Sequence, residues 1–204
     1  MKGIDITVDT KELKRLVIGT KNFEKEIAGA IASALNRTVD FVNTRVGRIV
    51  TGVYAIKGAD VKKTIRKYKA QKGDLSAKLQ SKGHPLSLAH FPHRPETTII
   101  SRSLGVKHPK AQVKVKVKKG SMQNLKVAPN AFLQKANGTY NIFKRVGQER
   151  KPIVVLKTLS IPQMITNETV GVDIQKLAQD KMNERIAHEV DFRLSKLQKS
   201  LGGR

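Results

Sequence analysis

The chain has 204 residues, 39% hydrophobic and only 4% aromatic, with no Trp and no Cys. That length suggests a single domain over residues 1–204 whose core is built from Val, Ile, Leu and Ala. The lack of cysteine excludes disulfides and thiolate metal sites. Forty Lys and Arg against sixteen Asp and Glu leave a net charge of +24, which favours a polyanionic or acidic partner.

The charge is segregated. Residues 57–119 hold seventeen basic and three acidic side chains, whereas residues 1–56 hold nine and six and residues 171–204 hold seven and five. A smeared charge would speak only of solubility; a gathered one marks a surface that meets an anion. No N-terminal apolar stretch suggests a signal peptide. No segment approaches the roughly 20 apolar residues of a membrane span, so no membrane partner is expected.

In chain order, Ile4, Ile6 and Val8 alternate with polar residues and predict a half-buried strand. A short helix is expected over about 10–18, stopped by Gly19. Phe23, Ile27, Ile31, Leu35, Val39, Val42, Val46, Ile49 and Val53 then recur at steps of three and four with no Pro, which predicts one long amphipathic helix. A small core cannot cover such a helix alone. Part of it is expected to pack on a sheet and part on a neighbouring subunit, with burial inside one subunit as the alternative.

Residues 58–66 read as a second, short helix. From Lys67 to Lys119 the chain turns Lys-rich and is broken by Gly and Pro, with strands expected at about 75–81 and 97–102. Val113, Val115 and Val117 alternate with Lys114, Lys116 and Lys118, a strand with one apolar and one cationic face. Residues 131–145 read as a hairpin around Asn137-Gly138, since that pair suits the positive φ of a type I′ turn. Residues 153–156 predict another strand. Pro162 is expected to interrupt the chain before a last helix over about 173–200, striped by Ile174, Leu177, Met182, Ile186, Val190, Leu194, Leu197 and Leu201. Strands clustered between terminal helices give an α+β fold, with an antiparallel sheet or sandwich packed against a long N-terminal helix and a C-terminal helix.

Motifs for chemistry are missing. The sequence has no GxxxxGK[ST], GxGxxG or GxSxG pattern. His84, His90 and His93 fall within ten residues, but that stretch has no Asp or Glu and holds Pro85 and Pro92, so a loop is expected rather than a metal site. Glu24, Glu26, Asp180, Glu184, Glu189 and Asp191 read as solvated helix faces or i,i+4 pairs. No carboxylate pair stands in a setting that would shift its pKa, so neither an enzyme nor a bound cofactor is expected. The basic features remain. Lys62, Lys63, Arg66, Lys67, Lys69 and Lys72 form one run facing DNA or an acidic partner. Lys114, Lys116 and Lys118 share a strand face that either contacts phosphate or guards a sheet edge.

The order of segments resembles a known family. Ala34-Leu35-Asn36-Arg37-Thr38 leads to Ile56-Lys57-Gly58-Ala59-Asp60-Val61-Lys62-Lys63-Thr64-Ile65, then Pro85-Leu86-Ser87-Leu88-Ala89-His90-Phe91. Asn141-Ile142-Phe143-Lys144-Arg145-Val146-Gly147, Lys151-Pro152-Ile153 and Ser160-Ile161-Pro162-Gln163-Met164 follow. Over about residues 20–200 this set resembles the minor tail protein Z family, the tail-completion proteins of long-tailed phages. The resemblance implies a virion structural protein at the head-proximal end of the tail, assembled in the host cytoplasm. It also implies a homo-oligomeric ring, a hexamer on the sixfold tail, around the DNA channel. Its implied partners are the tail terminator or tail tube protein, the head connector or stopper protein, and packaged DNA. It carries no catalytic residue. The alternative from composition is a direct nucleic-acid-binding protein of ribosomal or nucleoid type.

Overall fold

The computed structural model describes residues 4–7, 21–94, 96, 113–120, 123–124, 131–149 and 151–201. The helix expected at 10–18, the strand expected at 97–102, Val8, Gly19 and His108 lie outside them. The fold is mixed α+β, as the periodicities predict. Strand β1 (Ile4–Thr7) precedes the 33-residue helix α1 (Lys21–Val53), about 50 Å long at 1.5 Å per residue. Ile27, Ile31, Leu35, Val39, Val42, Val46 and Val50 are buried along it. Their steps of three and four hold one face inward over six turns, and each fully buried Val, Ile or Leu contributes about 1.5–3 kcal/mol.

That face is covered within the subunit. Helix α4 (Glu168–Leu201) runs antiparallel to α1 and buries Val170, Ile174, Ala178 and Met182. The Thr38 hydroxyl donates to the Met182 sulfur at 3.6 Å, Arg37 pairs with Glu189 at 2.9 Å, and Glu26 pairs with Arg193. Over residues 27–50 the alternative of burial inside one subunit holds for the apolar stripe, because the C-terminal helix lies along it. The expectation for Glu26 and Glu189 is corrected. Both reach across to the other helix, and Glu189 is buried.

Helix α4 starts at Glu168 rather than near Asp173. The Asn167 side chain accepts from the Thr169 N–H at 3.3 Å and opens the helix early. Helix α2 covers Gly58–Lys63 and ends sooner than expected. Extending it would stack Lys62 on Arg66 and Lys63 on Lys67 at the i,i+4 spacing that like charges destabilise. The chain instead enters β2 (Ile65–Tyr68). Pro162 does not break the chain. It sits in the first turn of α3 (Ile161–Ile165), where its missing N–H costs nothing. A reciprocal cap between Ser160 and Gln163 opens that helix, with the Ser160 N–H donating to the Gln163 amide oxygen at 2.8 Å.

Among the described residues the strands form three small antiparallel sheets rather than one, each of three strands. In the first, β3 (Lys78–Ser81) lies between β1 and β2. In the second, β5 (Lys114–Val115) lies between β4 (His93–Arg94) and β6 (Gln123–Asn124). In the third, β8 (Thr139–Arg145) lies between β7 (Phe132–Ala136) and β9 (Ile153–Val155). The hairpin turn is the one its sequence predicts, with φ of 50° at Asn137 and 78° at Gly138. Ile142, Leu133, Val113, Val115 and Leu79 carry the sheets into the same core as the helices.

Candidate functional site

The basic run from Lys62 to Lys72 folds into two faces instead of one. Lys62 and Lys63 are exposed on α2, and Lys63 stands 3.6 Å from Asp60. Successive residues of β2 point to opposite sides of the sheet. Arg66 and Tyr68 share the outer side with Lys78 and Gln80 of β3, where Lys78 lies over the Tyr68 ring at 5.1 Å. Lys67 and Lys69 turn the other way and close on Asp40 of α1 at 2.7 and 3.0 Å. These two hydrogen bonds hold the Asp40 carboxyl below its ordinary pKa. Lys67 and Lys69 are therefore already partnered inside the subunit, and Arg66 faces solvent on the opposite side. Lys72 is exposed in the turn that follows.

The strand lysines are placed differently. Val113 and Val115 are buried, Val117 is half-buried, and Lys114 and Lys118 are exposed, so the alternation holds. Lys116 is half-buried, and its N–H donates to the Pro92 carbonyl at 2.9 Å. The segment then crosses the end of α1, where Ala55 donates to Val117 at 2.9 Å and Lys119 to Val53 at 2.8 Å. Lys114 sits on the middle strand of its sheet, so edge protection does not explain it. Its direct cross-strand neighbour is Arg94. Two cations opposite one another on the same face repel and destabilise the pairing.

His84 and His90 are exposed, and the half-buried His93 donates through Nδ1 to the Phe91 carbonyl at 2.8 Å. Among the described residues no group of three or more His, Asp or Glu side chains is arranged to hold a metal ion. No helix there is long and apolar enough to cross a membrane.

Several residues had no role in the basic-surface reading and turn out to hold the surface in place. Asn36 binds the Ala70 backbone, Arg37 pairs with Glu189, and Thr38 meets Met182, while Ala34 and Leu35 are core. The Ser87 hydroxyl donates to Asn141 at 2.8 Å and joins the third sheet to the turn at Leu88–His90. Each runs over a long sequence separation, so only the ordered set of short segments hinted at them. The model of the family described as prophage minor tail protein Z matches residues 9–199. No curated protein and no solved structure matches the chain significantly. The chain belongs to the prophage minor tail protein Z family.

Proposed function

We propose that this structural protein of a phage tail is a tail-completion subunit, several copies of which close a ring at the head-proximal end of the tail and make the joint to a DNA-filled head. One observation carries the reading: residues 57–119 concentrate a net +14, and Lys62, Lys63, Arg66, Lys72, Lys114 and Lys118 stand exposed while the long helices bury their apolar faces on each other. A subunit that buries its long apolar stripe internally and gathers cations on its outside is suited to docking through charge. Six copies would sum to about +144 and repel one another unless an acidic protein or DNA offsets them. Assembly is therefore conditional on a partner, which on this reading is a tail terminator or tube protein, a head connector or stopper, or the DNA in the channel. The role needs no catalytic step and no cofactor.

The test is genetic. Deleting the gene should leave filled heads and full-length tails unjoined, and the purified protein should restore joining in the mixed lysate. Normal yields of joined particles from the deletion would overturn the reading.

The second reading, a direct nucleic-acid binder, draws on the exposed Tyr68 beside Arg66 and Lys78, an aromatic among cations. It predicts tight duplex binding by the lone subunit, with a steep log–log salt slope.

A further inference from the structure

A groove of about 610 Å³ opens between the α1–α2 linker and residues 89–94 with Glu96. One wall is apolar, with Ala55, Ala89 and Pro92 accessible and Ile56 and Phe91 buried behind them. Two cations, Lys57 and Arg94, line the rim together with His90, and Glu96 is the one carboxylate among its described lining residues. Arg94 faces Lys114 directly across the strand pair. Like charges directly opposite destabilise the pairing, and a carboxylate placed between the two cations would relieve that repulsion. Lys116 and Lys118 continue the charge, held alongside by the backbone bond to Pro92 and the bridge to Tyr54.

We propose that this groove docks an acidic segment of another virion protein, one that places an apolar side chain on the Ala55–Ala89–Pro92 wall between carboxylates that meet Lys57 and Arg94. The proposal rests on the tail-joint reading and names the chemistry of one partner. The volume falls within the range of clefts that take a drug-sized ligand, enough for one apolar side chain and its neighbours. A phosphodiester strand would satisfy the cations and leave the apolar wall unused; an acidic peptide with an apolar anchor uses both. A second copy of this chain brings another +24 to a rim that already holds Lys57 and Arg94, so charge complementarity selects a different, acidic protein.

The test uses the full chain and a fluorescent probe peptide of glutamates flanking a central Leu-Phe, followed by anisotropy at physiological salt. Lys57→Glu with Arg94→Glu should weaken binding by about tenfold or more, and so should Ala89→Leu, which narrows the groove without changing charge. Lys62→Glu with Arg66→Glu makes the same change of charge away from the groove and should alter affinity by less than about twofold. Replacing Leu-Phe by Gly-Gly in the probe should cost about tenfold. Thermal melts establish that each variant folds, and the exposed Arg94→Glu serves alone if the double variant does not. Equal losses from the remote and groove reversals would reduce the effect to bulk charge and overturn the proposal. A 20-base-pair duplex that loses affinity in step with the probe would assign the groove to DNA and overturn it too. In the phage, joining lost in the deletion but normal in the groove variant would sink the groove and leave the tail-joint reading standing. Joining normal in both would sink the tail-joint reading.

Discussion

Asn36 holds Ala70 with both ends of its side-chain amide: Nδ2 donates to the Ala70 carbonyl at 3.0 Å, and Oδ1 accepts from the Ala70 N–H at 2.8 Å. The long helix thereby gives a non-helical, buried backbone the donor and acceptor a sheet neighbour would supply. This pins the chain just past β2, and with it the position of Lys67, Lys69 and Lys72. Asn36→Ala leaves both Ala70 groups without partners and should lower the unfolding free energy by about 1–3 kcal/mol. A denaturant titration reads this. Faster amide exchange at Ala70 locates it, and unchanged exchange there would show that the pair does not act as a clamp.

Arg193 lies close over Gly29. A Cβ at Gly29 would stand 3.1 Å from the Arg193 Nη1 atom, where the guanidinium also pairs with Glu26. In the parent, Gly29→Ala pushes the guanidinium aside by a few tenths of an ångström and should forfeit most of its helix-propensity gain. In an Arg193→Ala background the obstacle is gone, and Gly29→Ala should stabilise by up to about 1 kcal/mol through helix propensity. A thermal double-mutant cycle measures the coupling, and additive effects would exclude it.

Asp40 sets an acid limit on the first sheet. Hydrogen bonds from Lys67 and then Lys69 depress its folded-state pKa below the unfolded value, which is about 3.9. A depressed carboxylate stabilises the fold fully above the unfolded pKa and loses that contribution as pH falls through the folded one. The window is thus below about pH 4. The pair is partly solvated, so the contribution should stay under about 1 kcal/mol. Asp40→Asn should flatten the acid limb of the stability profile. It should also free two lysines and move elution from immobilised heparin to higher salt. Unchanged elution would mean that the two lysines stay unavailable.

The turn at Asn137–Gly138 needs positive φ at both positions. Gly138→Val places a β-branched side chain in the left-handed region and should cost about 1–2 kcal/mol. Asn137→Gly keeps the turn accessible and should lie within about 0.5 kcal/mol of the parent. Urea midpoints distinguish the two, and equal midpoints would argue that the hairpin does not depend on this turn.

Much of the fold was legible from local pattern. The stripe from Ile27 to Val46 announced the long helix, Asn137-Gly138 announced the hairpin, and Val113 and Val115 announced which side of their strand is buried. Each is a periodicity or a turn preference that neighbouring residues impose on the backbone. The boundaries at Thr64 and Asn167 were less legible, because there a weak local preference yielded to like-charge stacking in one case and a side-chain cap in the other. The run from Lys62 to Lys72 looked like one patch in sequence because linear spacing does not tell which side of a strand each residue takes.

By itself, the sequence determined that one face of residues 27–50 must leave water, that the middle of the chain is cationic, and that no nucleotide or nucleophile motif is present. Only the tertiary structure decided what covers that face, since periodicity specifies a buried side but not its partner. It chose a helix more than a hundred residues away, placed Glu189 against Arg37 and Asp40 between two lysines, and set Arg94 opposite Lys114. Those pairings arise when distant segments are brought together by the burial of a shared apolar core, and local preference carries no record of them.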